Sequence, residues 1–169
     1  KLAVRKLCDS AVYPPDDGKV DLNAVYKGDI VRGYWNDPGN VKWKRSTIAD
    51  LDTRMIMGTA AQVWYGAMWI SAPEATELEF EFQGHHQTFL RWTLNGQVLE
   101  TGKYKEKIPR YACCDIASRT VSLQKGWNQV MFRGYCEGYS PFRAGLVLKA
   151  SPEKLWALRF SSEPQQAGK

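Results

Sequence analysis

The sequence predicts an all-β chain, a two-sheet antiparallel β-sandwich of jelly-roll type. Three observations carry this. Residues 76–82 alternate Leu78, Phe80 and Phe82 with Glu77, Glu79 and Glu81, a period of two with one wet face. Asn95-Gly96 stands between two strand-like runs, where both central residues of a type I′ hairpin turn need positive φ. Many short β-prone runs are punctuated by Gly, Pro and Asn, and no long amphipathic helical stretch competes with them.

The elements follow in order. Residues 25–35 read as a strand, and 48–57 could form one short turn of helix. Residues 63–70 are aromatic-rich and β-prone, and Ser71-Ala72-Pro73 ends them, because proline cannot donate to a ladder. Residues 88–94 place Leu90, Trp92 and Leu94 on one face, and 97–100 return after the Asn-Gly turn. Residues 120–123 form a short strand, Lys125-Gly126 a turn, and 127–135 a strand with Val130 and Phe132 opposite Met131 and Arg133. Residues 144–150 and 155–161 complete the set. Trp64, Trp69, Trp92, Trp127 and Trp156 sit in strand-like contexts and are expected in the core.

Length and composition bound the answer. A chain of 169 residues with 44% hydrophobic residues suits one core, expected over residues 1–162, with 163–169 as a linker or tail. The net charge of +5 favours acidic partners modestly. The basic residues are scattered with no dense Lys/Arg block, so nucleic acid is not an expected partner. No apolar run approaches a membrane span. Cys8, Cys113, Cys114 and Cys136 show no CxxC spacing, which argues against a zinc ribbon or thioredoxin motif. They are disulfide candidates with the connectivity open, and they point to an oxidising, secreted or cell-surface location.

Several pieces resemble a known family. Arg91-Trp92-Thr93-Leu94-Asn95-Gly96-Gln97-Val98-Leu99 is similar to an "apolar–polar–apolar, Asn-Gly, apolar" hairpin. Lys125-Gly126-Trp127-Asn128, after Val121-Ser122-Leu123, is similar to a strand-to-turn signature, and residues 142–148 to a closing strand. Together with residues 65–73 and 77–82, they resemble galactose-binding-like β-sandwiches. The nearest likeness is to carbohydrate-binding and accessory modules of bacterial glycoside hydrolases and other large secreted or surface proteins. The resemblance implies a fold more than a chemistry. Many such relatives carry acidic residues just before the hairpin strand, where this chain has Gly84-His85-His86.

The sequence carries no recognisable catalytic motif. There is no G-x-S-x-G and no HExxH, and no carboxylate pair stands out for glycoside hydrolysis. Adjacent strand residues point to opposite faces, so His85 and His86 cannot share a metal. Binding needs less: flat aromatic faces against the C–H faces of a pyranose, with polar neighbours to fix its hydroxyls. Loop aromatics with such neighbours are Trp35 beside Asn36 and Asp37, Trp43 beside Arg45, Tyr104 and Tyr111 beside Arg110, and Tyr139 beside Arg143. The expectation is therefore a non-catalytic polysaccharide-binding module. Its glycan is anionic if the nearby Lys and Arg act by charge-assisted hydrogen bonds. The alternative is a structural or protein-interaction accessory domain whose partners are neighbouring domains. No cofactor is expected, although Asp16-Asp17 or residues 50–52 could supply oxygen ligands to a structural calcium ion.

Overall fold

Alternating residues along the long strands split cleanly between a dry and a wet face, and this sorting builds two sheets around one core. The structure, a computed structural model, describes residues 14–27, 39–43, 63–85, 88–102, 106–107, 114–136 and 144–166. A 3₁₀ turn at Pro14–Asp17 precedes β1 (Val25–Lys27), β2 (Asn40–Lys42), β3 (Val63–Ala72), β4 (Thr76–His85), β5 (Thr88–Leu94) and β6 (Gln97–Gly102). Then come β7 (Glu106–Lys107), β8 (Cys114–Leu123), β9 (Gly126–Cys136), β10 (Ala144–Lys149), helix α1 (Pro152–Trp156) and β11 (Arg159–Ser161). The main layers are a five-stranded sheet, β11-β3-β9-β5-β6, and a four-stranded sheet, β10-β4-β8-β7; β1 and β2 form a separate hairpin. Every named strand pair is antiparallel.

The core lies between the two main sheets. Phe80 and Phe82 of β4, both fully buried, face Ile70, Leu90, Trp92 and Val130. Phe82 meets Trp92 across the layers at 5.4 Å between ring centroids, and Trp92 meets Phe132 at 5.1 Å, both tilted. Such pairs add about 1 kcal/mol each beyond buried area. The Trp92 indole N–H is buried without a hydrogen-bond partner among the described residues.

The turns take the geometry that their residues allow. Asn95 has φ 50° and Gly96 φ 79°, the positive pair that the Asn-Gly signal implied. Gly126 has φ 89°. Beside it, Asn128 is fully buried and ties the turns together. Its Nδ2 donates to the carbonyls of Gln124 (2.8 Å), Gly126 (3.0 Å) and Ile70 (3.3 Å). Its Oδ1 accepts from the Gln124 N–H (2.9 Å) and Asn95 Nδ2 (3.0 Å).

Three readings are corrected. Residues 155–161 are not one strand: Ser151-Pro152 starts a short helix, with proline at its first turn, and only Arg159–Ser161 is extended. Trp156 is not core but 86% exposed, because Leu155 and Leu158 fill the sandwich edge and leave the indole on the outside. The short strand at 120–123 is the end of the ten-residue β8, whose earlier half is too polar to read as a strand. Trp69 is buried at 3% exposure, yet on the outer face of its sheet. Of the strand expected at 25–35, β1 holds residues 25–27, and 28–38 lie outside the described residues, as do 48–57.

On the outer face of β4, Glu79 and Glu81 meet Lys149 of β10. Lys149 donates to Glu81, and Glu79 lies 3.6 Å away. The Lys149 bond first, and Gln83 Nε2 second (2.9 Å), hold the Glu81 carboxyl below the usual carboxylate range. A depressed folded-state value contributes stability above the unfolded value, and that contribution is lost as pH falls through the folded one. Lys149→Met is therefore expected to cost stability at neutral pH, by the modest amount usual at a surface. The gap between the two proteins should begin to narrow as pH falls below about 4, near the ordinary glutamate value, and close only below the depressed folded-state value. Thermal midpoints from pH 7 to 3 check this, and a gap independent of pH would refute it.

The register also gathers the strand ends. Val63 of β3 pairs with Tyr135 near the end of β9, and Thr88 at the start of β5 pairs with Cys136. In the other sheet His85 pairs with Cys114, and Ala144 with Gly84. Since β4 passes to β5 through two residues, all these ends share one end of the sandwich. The segments after β6 and after β9 are tethered there.

Candidate functional site

In the five-stranded sheet, the even-numbered residues of β3, β5 and β9 face the core, which turns the odd-numbered ones outward. One row near the gathered end places Tyr65, Arg133 and Arg91 side by side across β3, β9 and β5. Arg133 and Arg91 are direct cross-strand partners, a like-charge pair that would repel if left alone. Asp16 lies between them. It accepts from Arg91 Nη2 at 2.8 Å and has Arg133 Nε at 3.3 Å. Arg133 Nε also donates to the Tyr65 hydroxyl at 3.0 Å. Burial, with a smaller contribution from Asp16, holds that hydroxyl well above the usual phenol range, although Arg133 opposes the shift. The side chains of Arg133 and Asp16 are 10% and 13% exposed, that of Arg91 39%.

The chain reaches this row because of its local turn chemistry. Pro14-Pro15 opens a 3₁₀ turn closed by Gly18 N–H to Pro15 O at 3.1 Å, with Gly18 at φ 79°. Asp17 accepts from its own Lys19 N–H at 2.7 Å, an Asx turn. Two rows further along the sheet, Gln129 Nε2 donates to Gly18 O at 2.9 Å. Residues 16–18 therefore run along the outer face of β9. Trp69 and Met131, on that same face, are both buried. With two guanidinium groups on Asp16, its carboxylate is not available as the calcium ligand considered from sequence; residues 50–52 lie outside the described residues. Among the described residues no group of three or more His, Cys, Asp or Glu could hold a metal ion.

A second feature is the β1–β2 hairpin. Tyr26 pairs with Val41, and Trp43 lies two residues on, so the three share one face, with Trp43 diagonal to Tyr26. Trp43 Nε1 donates to the Tyr26 hydroxyl at 3.4 Å, a long bond that still orients the indole. Both rings are half-buried, and Val41 and Lys42 are exposed. Of the loop residues singled out from sequence, Trp43 alone falls in the described part. Trp35, Asn36, Asp37, Arg45, Tyr104, Arg110, Tyr111, Tyr139 and Arg143 lie outside the described residues, as do Cys8 and Cys113. Cys114 and Cys136 are the end residues of β8 and β9, in different sheets.

Sequence reading missed two features. Asp16, Arg91, Arg133 and Tyr65 are separated by up to 117 residues between paired members, and their local signal was an outward arginine inside each of two apolar strands. Trp156 and Phe160, 86% and 54% exposed, were hidden by their strand-like context. Of the described carboxyl groups, Glu81 and Glu153 are held below their ordinary values, opposite to what a general acid near neutrality needs.

No known protein family matches this chain, and no curated protein matches it. Among solved structures it is similar to a family 35 carbohydrate-binding module from an environmental isolate. That alignment has 10% identity and a TM-score of 0.47, and covers 64% of this chain and 79% of the other. It is also similar to the native structure of a family 35 carbohydrate-binding module from Clostridium thermocellum. There the identity is 15% and the TM-score 0.36, with 53% and 68% covered.

Proposed function

We propose that this chain is a non-catalytic module that binds a polysaccharide outside the cell or at its surface. The observation that carries the reading is the Tyr26–Val41–Trp43 face, where two hydrogen-bonded rings flank an exposed valine on one side of a hairpin. A pyranose ring presents axial C–H groups to such a face and hydroxyls to its rim, so apolar area and hydrogen bonding act together. The segment carrying Trp35, Asn36 and Asp37 joins β1 to β2 and is thereby tethered to the same hairpin. The segments carrying Tyr104, Arg110, Tyr111, Tyr139 and Arg143 leave the gathered end of the sandwich. We assign these residues, with Arg45, to glycan contacts, the basic ones favouring an acidic polymer. The net charge of +5 agrees with that preference.

Affinity electrophoresis through gels holding neutral or uronate-rich polysaccharides tests the reading. Retardation is expected on at least one polymer. Trp43→Ala is expected to weaken it about tenfold, the scale of one lost aromatic stacking contact. Its far-ultraviolet circular dichroism should keep the wild-type form. A wild-type chain retarded by no polysaccharide defeats the proposal.

A second reading is an accessory domain that packs on a protein neighbour. It is favoured by Trp156 and Phe160, two large rings left in solvent on α1 and β11. The same gels separate the two: absence of retardation on every polymer, with a cooperatively folded chain, moves the assignment to this one.

A further inference from the structure

The Arg91–Arg133 pair poses a problem that the sheet by itself does not solve. Two guanidinium groups carried by directly opposite residues on neighbouring strands repel, and the shared ladder fixes the spacing of their backbones. The row becomes favourable only when an anion sits on it. Its shape is specific: Arg91 Nη2 and Arg133 Nε converge on one carboxylate oxygen, with the Tyr65 hydroxyl held against the same Arg133 nitrogen. Charge-assisted bonds of this kind select a carboxylate over a neutral group. The row is covered at Arg133 and partly exposed at Arg91, so solvent reaches it from the Arg91 side.

Its occupant is not part of the sheet. Asp16 arrives on a four-residue turn laid over the outer face, and Gln129 Nε2 donates to Gly18 O just beyond it. We propose that Arg91, Arg133 and Tyr65 form a carboxylate receptor on the outer face of the five-stranded sheet. Asp16 is its resident occupant, and a carboxylate-bearing ligand exchanges with it, lifting the Pro14–Asp17 turn. Exchange replaces one ion-paired carboxylate by another, so the row keeps its neutralising anion throughout. Lifting the turn opens the face that holds Trp69 and Met131, one aromatic and one soft apolar side chain, a few residues from the receptor. An intramolecular occupant acts at an effective concentration on the order of millimolar, so a single soluble carboxylate competes poorly with it. A polymer carrying many carboxylates competes well. Only the identification of that carrier as an acidic polysaccharide rests on the proposed function.

The test empties the receptor and offers it small carboxylates. Thermal unfolding of the full chain bearing Asp16→Ala is followed in sodium acetate, sodium glucuronate, glucose and sodium chloride, at matched ionic strength where salts are compared. Both carboxylates are expected to raise the midpoint saturably by about 3 °C, while glucose and chloride do not. The wild-type chain should not respond to either carboxylate. Adding Arg133→Met to Asp16→Ala should abolish the rise. If Asp16→Ala is recovered unfolded, its refolding yield in acetate against chloride is the same measurement: recovery with the carboxylate supports the receptor, and recovery in neither overturns it. Indifference of Asp16→Ala to both carboxylates, or an equal response to chloride, also overturns it. A chain that binds no polysaccharide yet shows the carboxylate response loses the proposed function and keeps the receptor. The reverse result loses the receptor alone.

Discussion

Replacing Asn128 by alanine is expected to lower the unfolding free energy by about 4 kcal/mol, a large share of a typical domain's stability. Asn128 is fully buried, and its amide serves five partners. Three are carbonyls around the turn before β9 and on β3, and two are donors, from Gln124 and from Asn95 in the β5–β6 hairpin. Alanine leaves these groups without their partner, the Ile70 carbonyl in a buried contact and the others in part-buried ones. Each unsatisfied buried group costs about 1–3 kcal/mol, and neighbours relax to recover part of it. Asn128→Asp keeps the acceptor but removes both donors and buries a charge, so it is expected to be worse than alanine. Urea unfolding followed by tryptophan fluorescence measures both. A loss below about 1.5 kcal/mol for Asn128→Ala would mean that the turns hold without it.

Gly66→Ala is expected to cost about 3 kcal/mol, reversing the usual sign. In a strand interior, alanine normally gains roughly 0.5–1 kcal/mol over glycine, because glycine has more freedom to lose. Here the strand register sets Gly66 directly opposite Phe132. A Cβ on Gly66 would lie 2.1 Å from Phe132 Cε1, 2.5 Å from Cζ and 2.9 Å from Cδ1, closer than atoms can approach. The ring cannot swing away cheaply, because it also packs on Trp92, which packs on Phe82. The added methyl must therefore spread the strands or drive an aromatic out of the core. The partner check is Phe132→Ala. With the ring gone, Gly66→Ala should be almost neutral, so the double variant costs less than the sum of the singles. Additive losses would place the strain elsewhere.

The strands were legible where their cause is local. Leu78, Phe80 and Phe82 alternate with glutamates, and the alternation survives as a dry face and a wet face of β4. Asn95-Gly96 turned as its backbone preferences require. The helix at Pro152–Trp156 was legible too, since Ser151-Pro152-Glu153 is a helix start, but a strand-like run of apolar residues outweighed it. Of the candidate site, Trp43 could be picked out as a loop aromatic, whereas its neighbour Tyr26 came from pairing across a hairpin. Asp16 read as an ordinary turn aspartate, and nothing nearby in the chain marks it as the anion between two arginines.

What the sequence alone determined is the set of conformations each short segment prefers, because alternation, turn residues and proline act within a few residues. What the tertiary structure decided is which segments meet. Burial of an indole depends on whether another layer or an edge lies over it. That is why Trp92 is in the core, Trp69 is buried on the outer face and Trp156 stands in solvent, although all three sit in similar local patterns. The same holds for charge: Arg91, Arg133 and Asp16 become one cluster only when β5 pairs with β9 and the first turn is laid across them.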